Sequence, residues 1–276
     1  MAITAAEVNK LRQETGAGLM DCKKALTETN GDFEAAIDYL RKKGAKIAAN
    51  RAEREANEGV VIALTNADNN YGILVNLSAE TDFVAKNEQF ITLAKEIAEL
   101  ALEKRPQNLE ELNALPFKNS TVATTVLEAV AKIGEKIEVK KFDSISGKGI
   151  VPYIHMGYRM GVLVELNQSV NEINEVVGKD VAMQVAAMNP IALNAAGVSE
   201  DIKDRERAIA REKAIAAKKP ENLLDRIAEG AVNAMLKDAT LLSQVFVKDN
   251  SKNVEQYVKS VDKNLSIESF KRMSLA

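Results

Sequence analysis

Two stretches of the sequence repeat the same order of strand, turn and strand. Residues 72–77 read Gly-Ile-Leu-Val-Asn-Leu and residues 161–166 read Gly-Val-Leu-Val-Glu-Leu, and an apolar run followed by a turn precedes each of them. Short apolar runs separated by turns predict β-hairpins. Because a strand pair must bury its apolar face against other elements, the recurrence predicts a core of two related α+β subdomains, at residues 56–140 and 141–197.

Helices are predicted after both hairpins. Asn87 can cap a helix that places Phe90 and Ile97 on one face, and residues 181–188 form an apolar helical stretch after the second copy. Residues 109–142 are predicted to join the two subdomains.

Residues 1–55 predict a head of three short helices followed by a linker. Thr4 and Glu7 have the spacing of a capping box at the start of the first helix. The third helix is predicted to end at Gly44, since glycine commonly follows the last turn of a helix. Residues 46–58 are charged and rich in alanine, which predicts a separate linker helix.

Residues 198–237 predict a helical hairpin that projects from the second subdomain, with Pro220 in the first turn of its second helix. The remaining residues, 238–276, are predicted to return to this subdomain through strands at 244–247 and 265–270. The predicted apolar stripes of the hairpin are Ile202, Ile209 and Ala216 in its first helix and Leu223, Ile227, Ala231 and Ala234 in its second.

The composition argues against several classes of function. With a net charge of -3 and 4% aromatic residues, the chain lacks the positive charge and stacking side chains typical of nucleic-acid binding. Cys22 and His155 are the only cysteine and histidine, too few for the usual zinc sites, and no phosphate-binding loop or Gly-X-Ser-X-Gly elbow is present. We therefore expect no catalytic site, no cofactor, no bound metal and no direct contact with nucleic acid.

The sequence also predicts where the protein works. Residues 1–4 lack the basic-then-apolar order of a signal peptide, and no apolar run approaches the ~20 residues that span a bilayer. We expect a soluble, cytoplasmic protein that does not bind membranes.

Two segments have features that solvated surface alone does not explain. Phe83 lies in the connection between a predicted strand and a predicted helix, where an aromatic ring either packs into the core or faces a partner. The general rarity of exposed aromatic side chains favours the core. His155 lies in the turn of the second hairpin, where a lone histidine is most often an incidental polar residue.

Three segments carry a resemblance to a known family. They are residues 11–26 (Leu-Arg-Gln-Glu-Thr-Gly-Ala-Gly-Leu-Met-Asp-Cys-Lys-Lys-Ala-Leu), residues 81–87 (Thr-Asp-Phe-Val-Ala-Lys-Asn), and His155 with residues 159–164 (Arg-Met-Gly-Val-Leu-Val). In their order and spacing the sequence resembles the bacterial elongation factor Ts family, whose members expel GDP from the GTPase elongation factor Tu. The resemblance covers nearly the whole chain.

The resemblance implies a head like a ubiquitin-associated domain, a two-part α+β core and a coiled-coil hairpin. It implies that the head and first subdomain bind the GTPase domain of elongation factor Tu, in its GDP and nucleotide-free forms. The second subdomain would then bind the distal β-domain of that partner. Weak self-association through the hairpin stays open, although its short, alanine-rich stripe favours packing within one chain.

The resemblance also assigns contact residues. Phe83 would push between helices near the Mg²⁺ site of the partner, reversing the expectation that it packs in the core. Asp82 would push in together with it, and Thr81 and Val84 would also contact the partner there. The other contact residues that the resemblance implies are Arg12, Leu19, Met20 and Lys23 in the head, Ile133 and Gly134 beside a GTPase helix, and His155 against the distal β-domain.

The sequence departs from the family pattern at four places. Leu19 stands where methionine is usual, Met156 where glycine is usual, and Val245 where proline is usual. The fourth is the segment 269–276, where the family commonly continues into a further helix that touches the GTPase domain. We expect that contact to be absent or weakened.

Two other functions compete with nucleotide exchange. The first is an enzyme that uses His155 with a nearby lysine or aspartate as acid and base. The second is a scaffold or chaperone that uses the three-helix head as a peptide-binding module.

Overall fold

Three helices form the head in the computed structural model, which describes residues 3–275. The predicted capping box is confirmed, since the Thr4 hydroxyl accepts a hydrogen bond from Glu7 N and the Glu7 carboxylate accepts one from Thr4 N. Met1, Ala2 and Ala276, at the ends of predicted domains 1–55 and 238–276, lie outside the described residues. The helices are α1 (Ala5–Thr15), α2 (Leu19–Glu28) and α3 (Phe33–Asn50).

The third helix is longer than predicted, because it continues through Gly44 to Asn50. A Cβ atom at Gly44 would lie 2.9 Å from Ala131 Cβ and 3.2 Å from Leu127 O, in helix α7 (Val122–Ile133). Gly44 therefore lets two helices approach closely and does not end one.

The prediction of a separate linker helix over residues 46–58 is wrong. Residues 46–50 are the last turns of α3, residues 51–54 form turns and bends, and Glu58 begins a strand. The cause is tertiary, since the Lys136 ammonium binds the carbonyl oxygens of Ala52 and Arg54, which a continuing helix would use internally.

The first subdomain has a three-stranded antiparallel sheet in the order β1-β2-β5. Its predicted hairpin is confirmed, and the helices that follow it cover one face with buried Phe90 and Ile97. The segment 109–142 does more than join the subdomains, because it supplies α7 and most of β5. The elements are β1 (Glu58–Thr65), β2 (Tyr71–Ala79), α4 (Asp82–Ala85), α5 (Glu88–Lys104), α6 (Leu109–Ala114), β3 (Pro116–Phe117), β4 (Ser120–Thr121), α7 (Val122–Ile133) and β5 (Ile137–Ser146).

The second subdomain repeats this plan, with a sheet in the order β10-β7-β6. Its closing strand extends beyond the predicted residues 265–270, because β10 pairs with β7 as far as Ser274. Strand β5 crosses the expected limit between residues 140 and 141, and the domain limits themselves stay predictions. The elements are β6 (Gly149–His155), β7 (Met160–Leu166), α8 (Glu172–Met188), a 3-10 turn (Ala195–Gly197), β8 (Val245–Phe246), β9 (Asp249–Asn253), α11 (Val254–Val261) and β10 (Ile267–Ser274).

The first residue of each repeated motif explains how the two sheets meet. A Cβ atom at Gly72 would lie 2.8 Å from Ile150, and one at Gly161 would lie 2.9 Å from both Leu74 and Val61. Both glycines therefore allow the sheets to pack face to face. The buried residues between the sheets are Val61, Ala63, Leu74, Ile145, Ile150, Leu163, Met273 and Leu275.

The hairpin is confirmed as α9 (Glu200–Ala216), a 3-10 turn (Glu221–Leu223) and α10 (Leu224–Ala239). Its predicted apolar stripes are wrong, since Ile202 and Ile209 are exposed. Alanines on both helices allow a close approach, and Leu224 and Val232 fill the rest of the contact. The buried residues of the hairpin are Ala210 and Ala214 in α9 and Leu224, Ala228 and Val232 in α10. Within residues 3–275, no helix has the length and apolarity needed to cross a bilayer.

Candidate functional site

The segment between β2 and α5 presents an aromatic ring to solvent. Phe83 lies in α4, a four-residue helix, and its side chain is 84% exposed. The preceding Thr81 caps this helix, with its hydroxyl accepting a hydrogen bond from Val84 N at 3.4 Å. Buried Ala85 anchors the opposite side of the same helix. The residue type alone favours packing of Phe83 into the core, and this expectation is therefore wrong.

Two glutamates join this segment to the turn that follows α7. Glu135 Oε2 accepts a hydrogen bond from Thr81 N at 3.1 Å, and Glu135 Oε1 accepts one from the Thr81 hydroxyl at 2.8 Å. In the opposite direction, Glu80 Oε1 accepts a hydrogen bond from Lys136 N at 2.6 Å. The two connections therefore exchange hydrogen bonds reciprocally.

Glu80 is the most strongly perturbed carboxylate near the site. Burial alone would raise the pKa of Glu80, but the Lys136 backbone N–H and the guanidinium groups of Arg51 and Arg54 outweigh it and lower the pKa to about 2. The guanidinium groups lie 2.6 and 3.1 Å from the carboxylate oxygens. The end of the head's third helix is thereby tied to the base of the Phe83 segment.

A surface ion pair lies beside Phe83. Lys86 Nζ donates to Asp82 Oδ2 at 2.6 Å, which lowers the pKa of Asp82. Because both side chains are exposed, the pair contributes little to stability. It does place a paired negative and positive charge on the helix that carries the ring.

Phe83 and Ile133 line a groove of about 580 Å³ between the head and the first subdomain. Gly134 ends α7 in the left-handed conformation, with φ of 80°. Lys132 Nζ bonds Gln89 Oε1 at 3.0 Å across the groove wall. The groove brings together the predicted contact residues Phe83, Val84 and Ile133, and the head contributes Glu14, Thr15 and Gly16.

The four predicted head residues lie on the outer surface of α1 and α2. Met20 and Leu19 are exposed in the first turn of α2, and Arg12 and Lys23 are exposed as well. None of the four is among the residues that line the groove. The structure therefore places these four residues on the head outside the groove wall.

His155 lies at the end of β6, half-buried, with Nδ1 at 3.0 Å from the Tyr153 hydroxyl. The hypothesis of an enzyme required a lysine or aspartate beside His155, whereas its hydrogen-bond partner in the described chain is a tyrosine. Met156, Gly157 and Tyr158 follow with φ of 50°, 62° and 73°, and Met156 is 70% exposed. Histidine, cysteine and carboxylate side chains do not cluster into a metal-ligand set anywhere in residues 3–275.

Sequence reasoning missed the two glutamates that hold the Phe83 segment. Glu135 lies 54 residues from Thr81 along the chain, and Glu80 lies 56 residues from Lys136. No local spacing links partners so far apart. The one available signal was the position of Glu135 directly after the Ile133–Gly134 pair, which the family resemblance had already marked.

Comparison with known proteins identifies the family. The family model described as Elongation factor TS matches residues 80–276, more than half of the chain. This chain belongs to the elongation factor Ts family. Family membership makes it a translation elongation factor, as the resemblance in residues 11–26 and 81–87 predicted, and the α+β fold agrees.

Relatives match over almost their whole length. The chain is 48% identical over 273 residues to elongation factor Ts of Amoebophilus asiaticus, covering 99% of each chain. It is 48% identical over 273 residues to elongation factor Ts of Flavobacterium psychrophilum, covering 99% of this chain and 98% of the relative. It is 45% identical over 276 residues to elongation factor Ts of Porphyromonas gingivalis, covering 100% of this chain and 99% of the relative.

Proposed function

We propose that this elongation factor Ts family member binds elongation factor Tu in its GDP form and speeds the release of GDP. Phe83 is the wedge that enters the partner beside its Mg²⁺ site, supported by Thr81, Asp82 and Val84. The observation that carries the proposal is the 84% exposure of the Phe83 side chain on a helix whose base is clamped. An exposed aromatic ring held in this way is typical of a surface that a partner buries.

The energetics of exchange fit a wedge of this size. A protein that binds the nucleotide-free GTPase more tightly than the GDP form must weaken GDP binding by the same coupling free energy. About a thousandfold faster release needs only about 4 kcal/mol of barrier reduction. Burying one phenylalanine contributes ~1.5–3 kcal/mol. The rest of the barrier reduction comes from the other contacts and from weakened Mg²⁺ binding, because the octahedral coordination of Mg²⁺ tolerates little distortion.

The other contact residues divide between two areas of the partner. The groove beside Ile133 and Gly134 receives a helix of the GTPase domain, and exposed Leu19 and Met20 extend that contact onto the head together with Arg12 and Lys23. The turn at His155 contacts the distal β-domain. The protein performs no covalent chemistry in this scheme and uses no cofactor of its own.

Three further predictions remain attached to this function. The cytoplasmic location and the likeness of the head to ubiquitin-associated domains stay predictions. Weak self-association through the hairpin also stays a prediction, and exposed Ile202 and Ile209 provide apolar surface for it. The scaffold hypothesis gains no support from the head, because the head is not a free module. Its helix α3 packs closely on α7 at Gly44, and Arg41 forms an ion pair with Glu128 of α7.

Release of a fluorescent GDP analogue from purified elongation factor Tu, followed by stopped flow, tests the proposal. We expect the wild-type protein to accelerate release strongly, and Phe83→Ala to lower the accelerated rate by about tenfold or more, because the ring supplies part of the barrier reduction. Thermal unfolding should be unchanged, since the ring contacts little of its own chain.

The matched control is Ile173→Ala, which truncates another exposed apolar side chain, at 68% exposure, on the second subdomain. We expect this variant to retain the wild-type exchange rate. A wild-type protein that leaves GDP release unchanged would refute the function. An unchanged rate for Phe83→Ala would refute the wedge.

A further inference from the structure

We propose that Glu135 is a positioning residue for nucleotide exchange, which aims the Phe83 ring by holding Thr81. The inference rests on the proposed function, in which Phe83 is the wedge. Glu135 itself lies in the turn between α7 and β5 and binds Thr81, two residues before Phe83. Its task is to fix the direction in which α4 projects.

Two hydrogen bonds in series lead from Val84 to Glu135, and Glu135 is the final acceptor. Val84 N donates to the Thr81 hydroxyl, which donates in turn to Glu135 Oε1. Thr81 N donates to Glu135 Oε2, so both carboxylate oxygens are engaged by one residue. Hydrogen bonds in series polarise and strengthen one another, particularly when the last acceptor is a carboxylate. The cap of α4 is therefore set by Glu135.

The clamp continues the sheet beyond its last backbone pair. Ala79 of β2 pairs with Ile137 of β5, and the ladder ends there. The next residues on each strand bond through side chains, with Glu80 accepting from Lys136 N and Glu135 accepting from Thr81. Through these bonds the Phe83 segment and the Ile133–Gly134 turn form one unit.

The ring depends on this clamp because little else fixes it. At 84% exposure Phe83 has few packing contacts that could set its direction. Helix α4 has four residues, far too few to hold a helical conformation without its ends being fixed. The cap at Thr81 fixes its start, and packing of buried Ala85 and half-buried Val84 holds its inner side. Glu135 controls the cap.

The test compares exchange rates of variants in the complete protein. Glu135→Gln keeps one acceptor oxygen but turns an amide nitrogen toward a donor, so one of the two bonds to Thr81 is lost. We expect about a tenfold lower exchange rate, the size of one hydrogen bond to a charged group. Glu138→Gln is the matched control, because Glu138 lies three residues further along the chain in β5, is half exposed, and has Lys136 as its ion-pair partner at 3.7 Å. It should exchange at the wild-type rate.

Thr81 provides the conservative rescue. Thr81→Ser keeps the hydroxyl and should stay within about twofold of the wild type, whereas Thr81→Val removes it and should lose about tenfold. A role in overall stability would make exchange follow the melting temperature. An exchange loss that disappears after correction for the folded fraction would overturn the inference.

A double-mutant cycle separates this inference from the proposed function. If Glu135 acts through the ring, adding Glu135→Gln to Phe83→Ala should lower the rate by less than about twofold further. A further tenfold loss would mean that Glu135 acts independently and would overturn the inference while leaving the wedge intact. An unchanged rate for Glu135→Gln alone would also overturn it. If Phe83→Ala has no effect, the wedge fails and this inference fails with it, whereas a wild-type protein that leaves GDP release unchanged refutes the proposed function itself.

Discussion

The connection from β2 to α5 and the connection from β7 to α8 hold the same place in the two halves of the core, but different chemistry fixes them. Carboxylates hold the first: Glu80 accepts a hydrogen bond from Lys136 N in the turn before β5, and Glu135 of that turn accepts one from Thr81 N. Amides hold the second. Asn167 accepts a hydrogen bond from Ser266 N at 2.9 Å, and Asn171 caps α8.

The difference follows from what each connection has to join. The second connection fastens only to its own subdomain, at the start of the closing strand β10. The first also receives Arg51 and Arg54 from the end of the head, so it needs a group that binds several donors at once. A carboxylate accepts several hydrogen bonds and is strengthened by positive charge. An exposed aromatic ring is therefore tolerated where charged groups fix the backbone that carries it.

Removing the charge of Glu80 should have the largest effect on stability. We expect Glu80→Gln to lower the free energy of unfolding by about 2 kcal/mol, less than its full pKa shift would give, because half-exposed Arg54 is screened by water. Asp262→Asn is the counterpart in the second half, where a half-buried carboxylate accepts hydrogen bonds from Asn264 N and Gln168 Nε2. Asp262→Asn should lower the free energy of unfolding by much less than Glu80→Gln. Urea denaturation at pH 7 measures both, and equal losses would remove the contrast between the two connections.

The same variant predicts a pH dependence with a defined sign. The pKa of Glu80 is about 2 in the folded protein against a usual 4.5, so its stabilisation is fully present above pH 4.5. It is lost as the pH falls from 4.5 toward 2. The stability difference between the wild type and Glu80→Gln should therefore be constant near neutral pH and shrink through this acidic window. A difference that grows on acidification would contradict the assignment.

Removing a helix cap should lower the free energy of unfolding by less, and here the second connection should lose more than the first. Asn171 accepts hydrogen bonds from Ile173 N and Asn174 N, whereas Asn87 accepts one from Gln89 N. We expect Asn171→Ala to cost about 1–2 kcal/mol and Asn87→Ala about 1 kcal/mol or less. Thermal unfolding compares the two directly. A larger loss for Asn87 would show that the first connection depends on its cap more than on its carboxylates.

The smallest effect is expected in the hairpin turns. Met156 has φ of 50°, a conformation that costs free energy for a side chain with a Cβ atom, so Met156→Gly should gain about 0.5 kcal/mol. Asn69 has φ of 51° in the turn of the first hairpin, but its side chain accepts a hydrogen bond from the Thr65 hydroxyl. Asn69→Gly should therefore leave the free energy of unfolding unchanged, because the relief of backbone strain is offset by the lost hydrogen bond. Chemical denaturation distinguishes them, and equal gains would show that the Asn69 side chain is dispensable.

Local patterns in the sequence were sufficient for much of the architecture. The capping box at Thr4, the cap at Asn87 and the two strand pairs were predicted because each depends on residues only a few positions apart. The resemblance in residues 81–87 located the candidate site. Helix α3 was misjudged at Gly44, because glycine marks both helix ends and close helix contacts, and only the position of Ala131 distinguishes them.

The sequence by itself determined the three helices of the head, the two hairpins of the core and the segment that carries Phe83. The tertiary structure decided that the ring faces solvent, that Ile202 and Ile209 stay exposed outside the hairpin contact, and that Glu135 holds Thr81 from 54 residues away. The physical reason is the range of the interactions. Caps, turns and periodicity act within a few residues of one another, whereas exposure and hydrogen bonding between distant segments depend on how the whole chain packs.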